Sequence, residues 1–544
     1  MHAVASTTIE TVKTRLIAFA VAIVVAPCTA MPAEAVGRPN VLLVLADDLG
    51  WSDLGCYGGE IDTPHLDALA WSGLRFTQFY NSSRCCPSRA SILTGLHPAQ
   101  AGFPEFFGML PPTCVTIPEV LRAAGYRTYM VGKWHLNEKT KPIERGFDEF
   151  YGMLGGYNTC WQEKPHYTRW PQDRPKREYP PDGFYSTDVF GDYAVEFLEQ
   201  ARQPSAEGRP WFLYLAFNAP HFPLHAPAET IAKYEPIYTQ GWDKIRAARL
   251  ARQKALGIVP KDLDLPSRGT TPKNKFNERT DWADRPIPAW DSLPEDRRAD
   301  LTRRMSVYAA MVDHLDRVVG RIVDLLKRTD QLDDTLILFL SDNGACAEWD
   351  PWGFDDASGP KNTLHSGASL AKVGGRDTYI SCGSGWANAS NTPLRLFKHY
   401  MHEGGIRTPL IVHWPAGAKA PPGSLCHAPG FIADLMPTIC GATAANYPRY
   451  RGGKDVTPVE GVSLLPAFAG EPQPPRQLCI EHEGHRTIRD GQWKLVCIKG
   501  CPWELYDITN DPTESHDLAD RDPRRVERMA AAWREWAART GAPR

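Results

Sequence analysis

The chain has 544 residues, more than one typical domain, and 42% of them are hydrophobic while 23% are charged. This composition excludes a disordered chain, a collagen-like fibre and a disulfide-dense miniprotein. Because 61 basic residues nearly balance 64 acidic ones, giving a net charge of -3, no overall charge points to nucleic acid or to an anionic membrane surface as a partner.

Residues 1–35 have the pattern of an export signal. Lys13 and Arg15 precede an apolar run over 16–25, which is too short to span a bilayer, and small residues that suit a cleavage site follow it. We therefore predict a signal peptide, and a periplasmic or secreted protein without a stable membrane span. A buried helix and a single membrane anchor are the alternatives for this segment, and lipid attachment at Cys28 is disfavoured by the proline before it.

Apolar runs alternate with segments of helical periodicity over the rest of the chain. Asn40–Ala46 (NVLLVLA) suits a strand buried on both faces, and 299–327 carries apolar residues three and four apart. Strands that alternate with helices indicate an α/β fold, and we predict a large, mostly parallel sheet flanked by helices. The other predicted strands are 126–131, 211–217, 335–340 and 410–414, and the other predicted helices follow Pro64, begin near Pro87, and cover 117–125 and 188–201.

Two stretches interrupt this alternation. Residues 225–298 are rich in charge and proline, and 344–392 are rich in glycine and small polar residues, so we expect irregular functional loops or surface excursions there. A proline-rich segment then marks a boundary. We predict a large α/β domain over 36–472 and a C-terminal α+β subdomain over 473–544, in which short strands form a small antiparallel sheet that packs against the last helix.

Polar side chains follow three of the predicted strands. Asp47-Asp48, Asn218–His221 and Asp342-Asn343 each come at the carboxyl end of a strand, where sites form in open parallel sheets. Adjacent carboxylates repel each other unless a cation lies between them. Three carboxylates and one amide oxygen form an all-oxygen ligand set, which suits calcium or magnesium rather than zinc.

The cysteines do not define a disulfide framework. The chain has 13, of which 12 remain without Cys28, and an exported protein permits disulfides, but their spacing is scattered and assigns no pairing. No pair of C-x-x-C motifs suggests zinc. Cys85 and Cys86 are adjacent, and disulfides between adjacent cysteines are strained and uncommon.

The adjacent cysteines begin a recognisable motif. Cys85-Cys86-Pro87-Ser88-Arg89 resembles the C-x-P-S-R signature of sulfatases, and the following residues to Gly95 continue as in that family. The resemblance covers about residues 38–544 and is to bacterial arylsulfatase-type members of the alkaline phosphatase-like superfamily. Further segments that resemble sulfatase motifs, in the family's order, are Gly132–Leu136 (GKWHL), Ala219–His221 (APH), Ser341–Gly344 (SDNG), Lys398 and Glu403–Pro409 (EGGIRTP).

The resemblance implies a sulfuric ester hydrolase with a modified cysteine as nucleophile. In sulfatases a maturation enzyme oxidises the first cysteine of the signature to formylglycine, and this position is Cys85, whereas Cys86 is at the variable position. Hydration of the aldehyde gives two hydroxyl groups on one carbon, so that one can attack sulfur and the other can later expel sulfate. The implied substrate is a sulfated small molecule or a sulfated glycan, which the sequence does not identify.

The resemblance also implies a metal site at the strand ends. Calcium, with magnesium as the alternative, is the expected cofactor. The implied ligands are Asp47, Asp48, Asp342, Asn343 and the modified Cys85.

Five further residues have implied catalytic roles. Arg89, Lys133 and His135 would hold or activate the formylglycine, and Lys133 would also contact the sulfate. His221 and Lys398 would bind the leaving-group side of the substrate, with His221 donating its proton. Fixed positive charge of this kind stabilises the charge that develops in the transition state.

Two other functions are compatible with the same motifs. A phosphonate monoester or phosphodiester hydrolase of the same superfamily is one, because phosphorus and sulfur esters share tetrahedral geometry. A non-catalytic carbohydrate-binding homologue is the other, although no matched catalytic position departs from the family pattern.

Overall fold

A ten-stranded sheet with helices on both faces forms most of the protein. The computed structural model describes residues 37–180, 182–203, 208–273, 282–355 and 362–543. The predicted signal peptide lies outside these ranges. Within them, no helix combines the length and the apolar character that crossing a bilayer requires.

The sheet is mixed, with a parallel centre. Its strands lie in the order β10-β2-β8-β7-β1-β6-β3-β4-β5, with β9 beside β2. The five strands from β7 to β4 in this order pair in parallel, whereas β8 is antiparallel to both β7 and β2, and β5 is antiparallel to β4. The predicted α/β class with a mostly parallel sheet is thereby confirmed. In chain order the strands are β1 (Asn40–Ala46), β2 (Leu74–Tyr80), β3 (Arg127–Lys133), β4 (Glu149–Met153), β5 (Thr168–Trp170), β6 (Trp211–Ala216), β7 (Thr335–Ser341), β8 (Arg407–His413), β9 (Ser424–Cys426) and β10 (Gly430–Phe431).

Helices cover both faces of the sheet, which explains the uninterrupted apolar run of β1. Leu42 and Val44 belong to one apolar core that includes the longest described helix, α7, whereas Val41 and Leu43 belong to a second core with α2 and α3. Successive side chains of a strand point to opposite faces, so both sets of positions must be apolar. The helices are α1 (Pro64–Ser72), α2 (Cys85–Thr94), α3 (Ile117–Ala123), α4 (Ser186–Ala201), α5 (Ala228–Tyr238), α6 (Gly241–Ala255), α7 (Glu295–Arg328), α8 (Gly367–Lys372), α9 (Ser384–Ser390), α10 (Glu403–Ile406), α11 (Leu435–Thr443), α12 (Leu465–Phe468) and α13 (Pro523–Thr540).

The expectation of an irregular stretch over 225–298 is wrong in its first part, where α5 and α6 form. The apolar stripe of α6 is difficult to detect in the sequence because a charged residue takes a core position. Arg249 is fully buried and donates to Asp53 and Glu60, each at 2.7 Å. In contrast, the described part of 344–392 is mostly irregular and contains only the short helices α8 and α9.

The C-terminal residues form the predicted antiparallel sheet and helix. Four strands pair in the order β13-β14-β15-β16, and α13 packs on them through Met529 and Trp533. The hairpin between β13 and β14 turns at Glu483-Gly484, where φ is 50° and 89°. The domain boundary after residue 472 stays a prediction. The strands are β13 (Gln477–His482), β14 (His485–Asp490), β15 (Trp493–Cys497) and β16 (Glu504–Asp507), and a separate hairpin consists of β11 (Tyr450–Arg451) and β12 (Lys454–Asp455).

Candidate active site

The polar residues predicted from the strand ends meet at one edge of the sheet. β7, β1, β6 and β3 are adjacent and parallel, so their carboxyl ends lie side by side. Asp342-Asn343 follow β7, Asp47-Asp48 follow β1, and His221 follows β6, while Lys133 is the last residue of β3. This convergence is the arrangement that ligand sites of parallel sheets use.

The backbone after β1 turns both aspartates toward the same cluster. Successive side chains of an extended strand would point to opposite faces. Asp48 instead has a φ of 66°, in the left-handed region that is unfavourable for non-glycine residues. As a result Asp47 and Asp48 both contact cationic side chains of the site, and both are buried.

Cys85 is the first residue of α2 and lies among these groups. Arg84 before it is extended, with a φ of -148°, and Pro87 is in the first turn, as predicted. The side chain of Arg89, one helical turn after Cys85, is on the same face and is fully buried. The free backbone N–H groups at the beginning of a helix favour an anion at this position.

Three cations contact the carboxylates. Arg89 donates to Asp342 Oδ2 from Nε at 2.9 Å, and its Nη2 lies 2.8 Å from the same oxygen. Lys133 Nζ lies 2.5 Å from Asp47 Oδ2. Lys398 Nζ lies 2.8 Å from Asp48. The cluster of acidic side chains is therefore largely compensated by charges of the chain itself.

The acidic cluster also has the donor atoms for a divalent cation. Asp47 Oδ1 and Asn343 Oδ1 are buried without a hydrogen-bond partner among the described residues, and oxygens of Asp47 and Asp48 lie within 4.8 Å of each other and of a His221 nitrogen. Burial and the neighbouring Asp47 raise the pKa of Asp342 well above its usual range. Unpaired carboxylate and amide oxygens in a buried, crowded cluster fit a hard cation such as calcium or magnesium.

The surroundings of Cys85 stabilise negative charge on its side chain. Burial alone would raise the pKa of the Cys85 thiol, but hydrogen bonding with Cys86, the charge of Lys133 and hydrogen bonding with His135 lower it well below its usual range. A hydroxyl group in the same place would be deprotonated more readily for the same reason. Burial lowers the pKa of His135 to about 4, so this ring is neutral at pH 7 and available as a proton acceptor.

His221 faces Asp48 through one defined nitrogen. Its Nδ1 lies 2.6 Å from Phe222 O, which can only accept a hydrogen bond, so Nδ1 carries a proton. Nε2 lies 3.6 Å from Asp48 Oδ2. Burial lowers the pKa of His221. Nε2 is therefore the atom at which this histidine gains or loses a proton.

All the residues predicted for the site lie in this one region. Hydrogen bonds, ion pairs and electrostatic interactions connect them to one another; the residues are Asp47, Asp48, Cys85, Arg89, Lys133, His135, His221, Asp342, Asn343 and Lys398. None of the twelve cysteines in the described residues is in a disulfide. Four further residues border the same region and are not predicted from the sequence: Arg84, Glu348, His399 and His482. For two of them the sequence contains a signal, because Arg84 precedes the cysteine motif and His399 follows Lys398.

The chain matches the family model described as Sulfatase over residues 39–445. It is 32% identical to an uncharacterized sulfatase of Schizosaccharomyces pombe, over 93% of this chain and 94% of that protein. It is 31% identical to an arylsulfatase of Klebsiella aerogenes, over 78% of this chain and 91% of that protein.

The fold is also similar to solved structures. The crystal structure of Ps i-CgsB in complex with k-i-k-neocarrahexaose matches with a TM-score of 0.64 and 27% identity. The match covers 92% of this chain and 93% of that one. The likeness therefore extends over most of the chain.

Proposed function

Because the chain belongs to the sulfatase family and is thus a sulfatase enzyme, we propose that it hydrolyses sulfate monoesters with a formylglycine formed from Cys85. The observation that carries the proposal is the position of Cys85. It begins α2, it is buried, and Lys133 and His135 stabilise negative charge on it. When Cys85 is converted, its hydrated aldehyde supplies one hydroxyl to attack sulfur and a second to expel sulfate as the carbonyl re-forms.

Lys133, Arg89 and His135 support the nucleophile. Lys133 and His135 lie beside the Cys85 side chain, and Arg89 holds the Lys133 backbone through a 2.8 Å hydrogen bond from Nη1 to Lys133 O. His135, neutral at pH 7, accepts the proton of the attacking hydroxyl. Lys133 stabilises the charge that collects on the sulfate oxygens.

His221 and Lys398 act on the leaving group. His221 Nδ1 already donates to a backbone carbonyl, so a proton for the departing oxygen comes from Nε2. Asp48, next to Nε2, stabilises the protonated form that this transfer needs. Burial disfavours the charge of Lys398, but the nearby Asp48 raises its pKa well above the usual range, so this side chain remains cationic beside the departing oxygen.

Asp47, Asp48, Asp342 and Asn343 would hold a divalent cation, which we propose to be calcium. Such an ion supplies positive charge that polarises sulfate oxygens and offsets the acidic cluster. The formylglycine side chain would complete the ligand set. Calcium is preferred to magnesium because it accepts a larger and less regular set of oxygen ligands.

The substrate is a sulfate ester of a small molecule or a glycan. The similarity to the arylsulfatase of Klebsiella aerogenes supports aryl sulfates, and the similarity to Ps i-CgsB, solved with k-i-k-neocarrahexaose, supports carbohydrate sulfates. A formylglycine-generating enzyme is the partner that maturation requires. We further propose that the protein is exported to the periplasm or secreted, which agrees with the apolar N-terminal segment.

The reaction class is tested on protein whose conversion of Cys85 has first been verified by peptide mass spectrometry. The assay compares 4-nitrophenyl sulfate with 4-nitrophenyl phosphate, bis-(4-nitrophenyl) phosphate and a phosphonate monoester. We expect the highest kcat/KM on the sulfate, because the family model and the relatives that the chain matches are those of sulfatases. A strong preference for a phosphorus ester would reject the proposal in favour of a phosphonate monoester or phosphodiester hydrolase. Binding of sulfated sugars with no turnover by converted protein would indicate a non-catalytic homologue.

A further inference from the structure

A group of polar side chains outside the proposed catalytic machinery borders Cys85. It consists of Arg84, which precedes Cys85, His399, which follows Lys398, and His482 and Glu483 at the end of β13. The group therefore joins the edge of the large sheet to the C-terminal sheet. Its members have no role in the proposed chemistry.

Arg84 is fixed at the leaving-group side of the site. Its Nη1 donates to His399 Nε2, and its guanidinium lies 4.4 Å from the ring centre of Phe106. Glu348 Oε1 lies 3.9 Å from Arg84 Nη1 and 3.9 Å from Lys398 Nζ, so both cations are near the same carboxylate oxygen. Arg84 Nε is buried and has no hydrogen-bond partner among the described residues.

His482 has two unused nitrogens. The side chain is 1% exposed, and neither Nδ1 nor Nε2 has a hydrogen-bond partner within the described ranges. Its nearest acidic oxygen, Glu483 Oε2, is 4.0 Å away. Burial, together with the charge of Arg84, holds the pKa of His482 well below its usual range, so the ring is neutral. A neutral imidazole has one donor and one acceptor, and burying both without partners is unfavourable unless a ligand supplies them.

A metal ion does not fit this group as it stands. One ligand atom from each of His399, His482 and Glu483 lies within 4.8 Å of the others, as a metal site would require. However, arginine can only donate, so His399 Nε2 accepts from Arg84 and the ring proton is on Nδ1. That proton faces Glu483, whose Oε2 is 3.9 Å from Nδ1. His399 therefore serves to position Arg84 rather than to ligate a metal.

We propose that Arg84 and His482 form a subsite for a hydroxyl group on the carbon next to the one that carries the sulfate. The proposal rests on the proposed function, because Lys398 places the leaving group beside Arg84. The hydroxyl oxygen accepts a hydrogen bond from Arg84 Nε, and its proton is donated to the unprotonated nitrogen of His482. The substrate class is thereby narrowed to monosulfates of vicinal diols, as found in sugars and catechols.

The test uses two esters of equal bulk that differ in the hydroxyl group. Converted wild-type enzyme is assayed on catechol monosulfate and on 2-methylphenyl sulfate, with released sulfate measured by ion chromatography. We expect kcat/KM to be about tenfold higher for catechol monosulfate, the usual effect of a hydrogen bond made by a charged or buried group. Equal cleavage of the two esters by the wild-type enzyme would overturn the proposal.

Variants test the two side chains separately. His482→Phe keeps the ring and removes both nitrogens, and Arg84→Met keeps an unbranched side chain and removes the guanidinium. Each is expected to lower the preference for catechol monosulfate by about tenfold. A merely structural role would lower kcat/KM for both esters alike and leave their ratio unchanged, which would contradict the proposal.

His485→Phe is the matched control. His485 lies in the same hairpin, but its Nδ1 already accepts from Lys499 N at 3.2 Å, so its loss is expected to leave the ratio unchanged. Comparing the cleavage of the two esters also distinguishes failure of the proposed function from failure of the subsite alone. If converted protein cleaves no sulfate ester, the proposed function fails; if it cleaves both esters without preference, only the subsite fails.

Discussion

Cys85 and Cys86 are adjacent and equally buried, yet their surroundings differ. Cys85 faces Lys133 and His135, and its pKa is lowered in spite of burial. Cys86 instead lies against Phe106, to whose backbone oxygen its thiol donates, and burial together with Cys85 raises its pKa well above the usual range. Electrostatics at the scale of one residue therefore distinguish a reactive side chain from an inert neighbour.

The two cysteines are predicted to respond differently to truncation. Under the proposed function, Cys85→Ala removes the side chain that becomes the nucleophile, so kcat should fall by about 1000-fold or more. Cys86→Ala removes one sulfur atom from a packed position, with an expected destabilisation of about 1 kcal/mol and a kcat/KM within about threefold of wild type. Both are measured on 4-nitrophenyl sulfate, with the mass of the peptide that contains Cys85 determined in parallel. Active enzyme in which Cys85 is entirely unmodified would contradict this assignment.

The site forms where neighbouring strands of the large sheet end beside one another. β1 and β7 place Asp47, Asp48 and Asp342 in contact with cations that come from α2, from the end of β3 and from the segment before α10. Because these cations already neutralise much of the acidic charge, we expect that folding does not require a metal ion. The ion would matter chiefly for the substrate, whose own charge the same cations must attract.

Removal of divalent metal is therefore predicted to lower activity far more than stability. After dialysis against a chelator, kcat/KM should decrease by at least about 100-fold, whereas the melting temperature should fall by only a few degrees, as expected for loss of one bound ligand. Calcium added back should restore both more effectively than magnesium. Full activity in protein that elemental analysis shows to be metal-free would contradict the prediction.

The predictability of each element follows from how its side chains are buried. β1, β6 and β7 are covered on both faces and are thus visible as uninterrupted apolar runs. The sequence does not predict β2 (LRFTQFY), because Arg75 takes a buried position by donating to Cys56 O at 2.8 Å. The same effect conceals α6, since propensity and periodicity treat a paired, buried arginine as a surface residue.

The C-terminal sheet is connected to the rest of the molecule by a buried ionic network. Lys494 of β15 lies 2.8 Å from Glu403 at the start of α10 and 2.8 Å from Glu514. Burial would raise the pKa of Glu403, but the charges of Lys494 and of Arg407 lower it to about 2. The carboxylate is thus ionised at neutral pH, and its pairing depends on a residue nearly 100 positions away in the chain.

Lys494→Met is predicted to destabilise the whole protein. The substitution keeps the length of the side chain but leaves the buried carboxylates of Glu403 and Glu514 without one of their cations, at an expected cost of about 3 kcal/mol. Lys499→Met, at an exposed position after the same strand, is the control and should change the free energy of unfolding by less than about 0.5 kcal/mol. Denaturant unfolding of both variants measures the difference. Equal stability of the two would show that the network does not connect the sheets energetically.

At the scale of the whole molecule, the sequence reveals more of the chemistry than of the recognition surface. Asp47, Lys133 and Asp342 could be assigned because motifs mark them and because parallel strand ends converge. Arg84 and His482 come from opposite ends of the chain, and their proximity depends on the docking of the C-terminal hairpin. No local pattern encodes that docking, so only the folded structure brings these two residues together.

The burial of Cys85 at the beginning of α2 has a consequence for biosynthesis. The residue is 2% exposed, and every side chain of its helix is buried, so an oxidising enzyme could not enclose this segment once the chain has folded. If Cys85 is converted as we propose, conversion must therefore precede folding. Under that proposal, a molecule that folds before conversion would remain inactive, and the specific activity of a preparation would report the rate of conversion relative to the rate of folding.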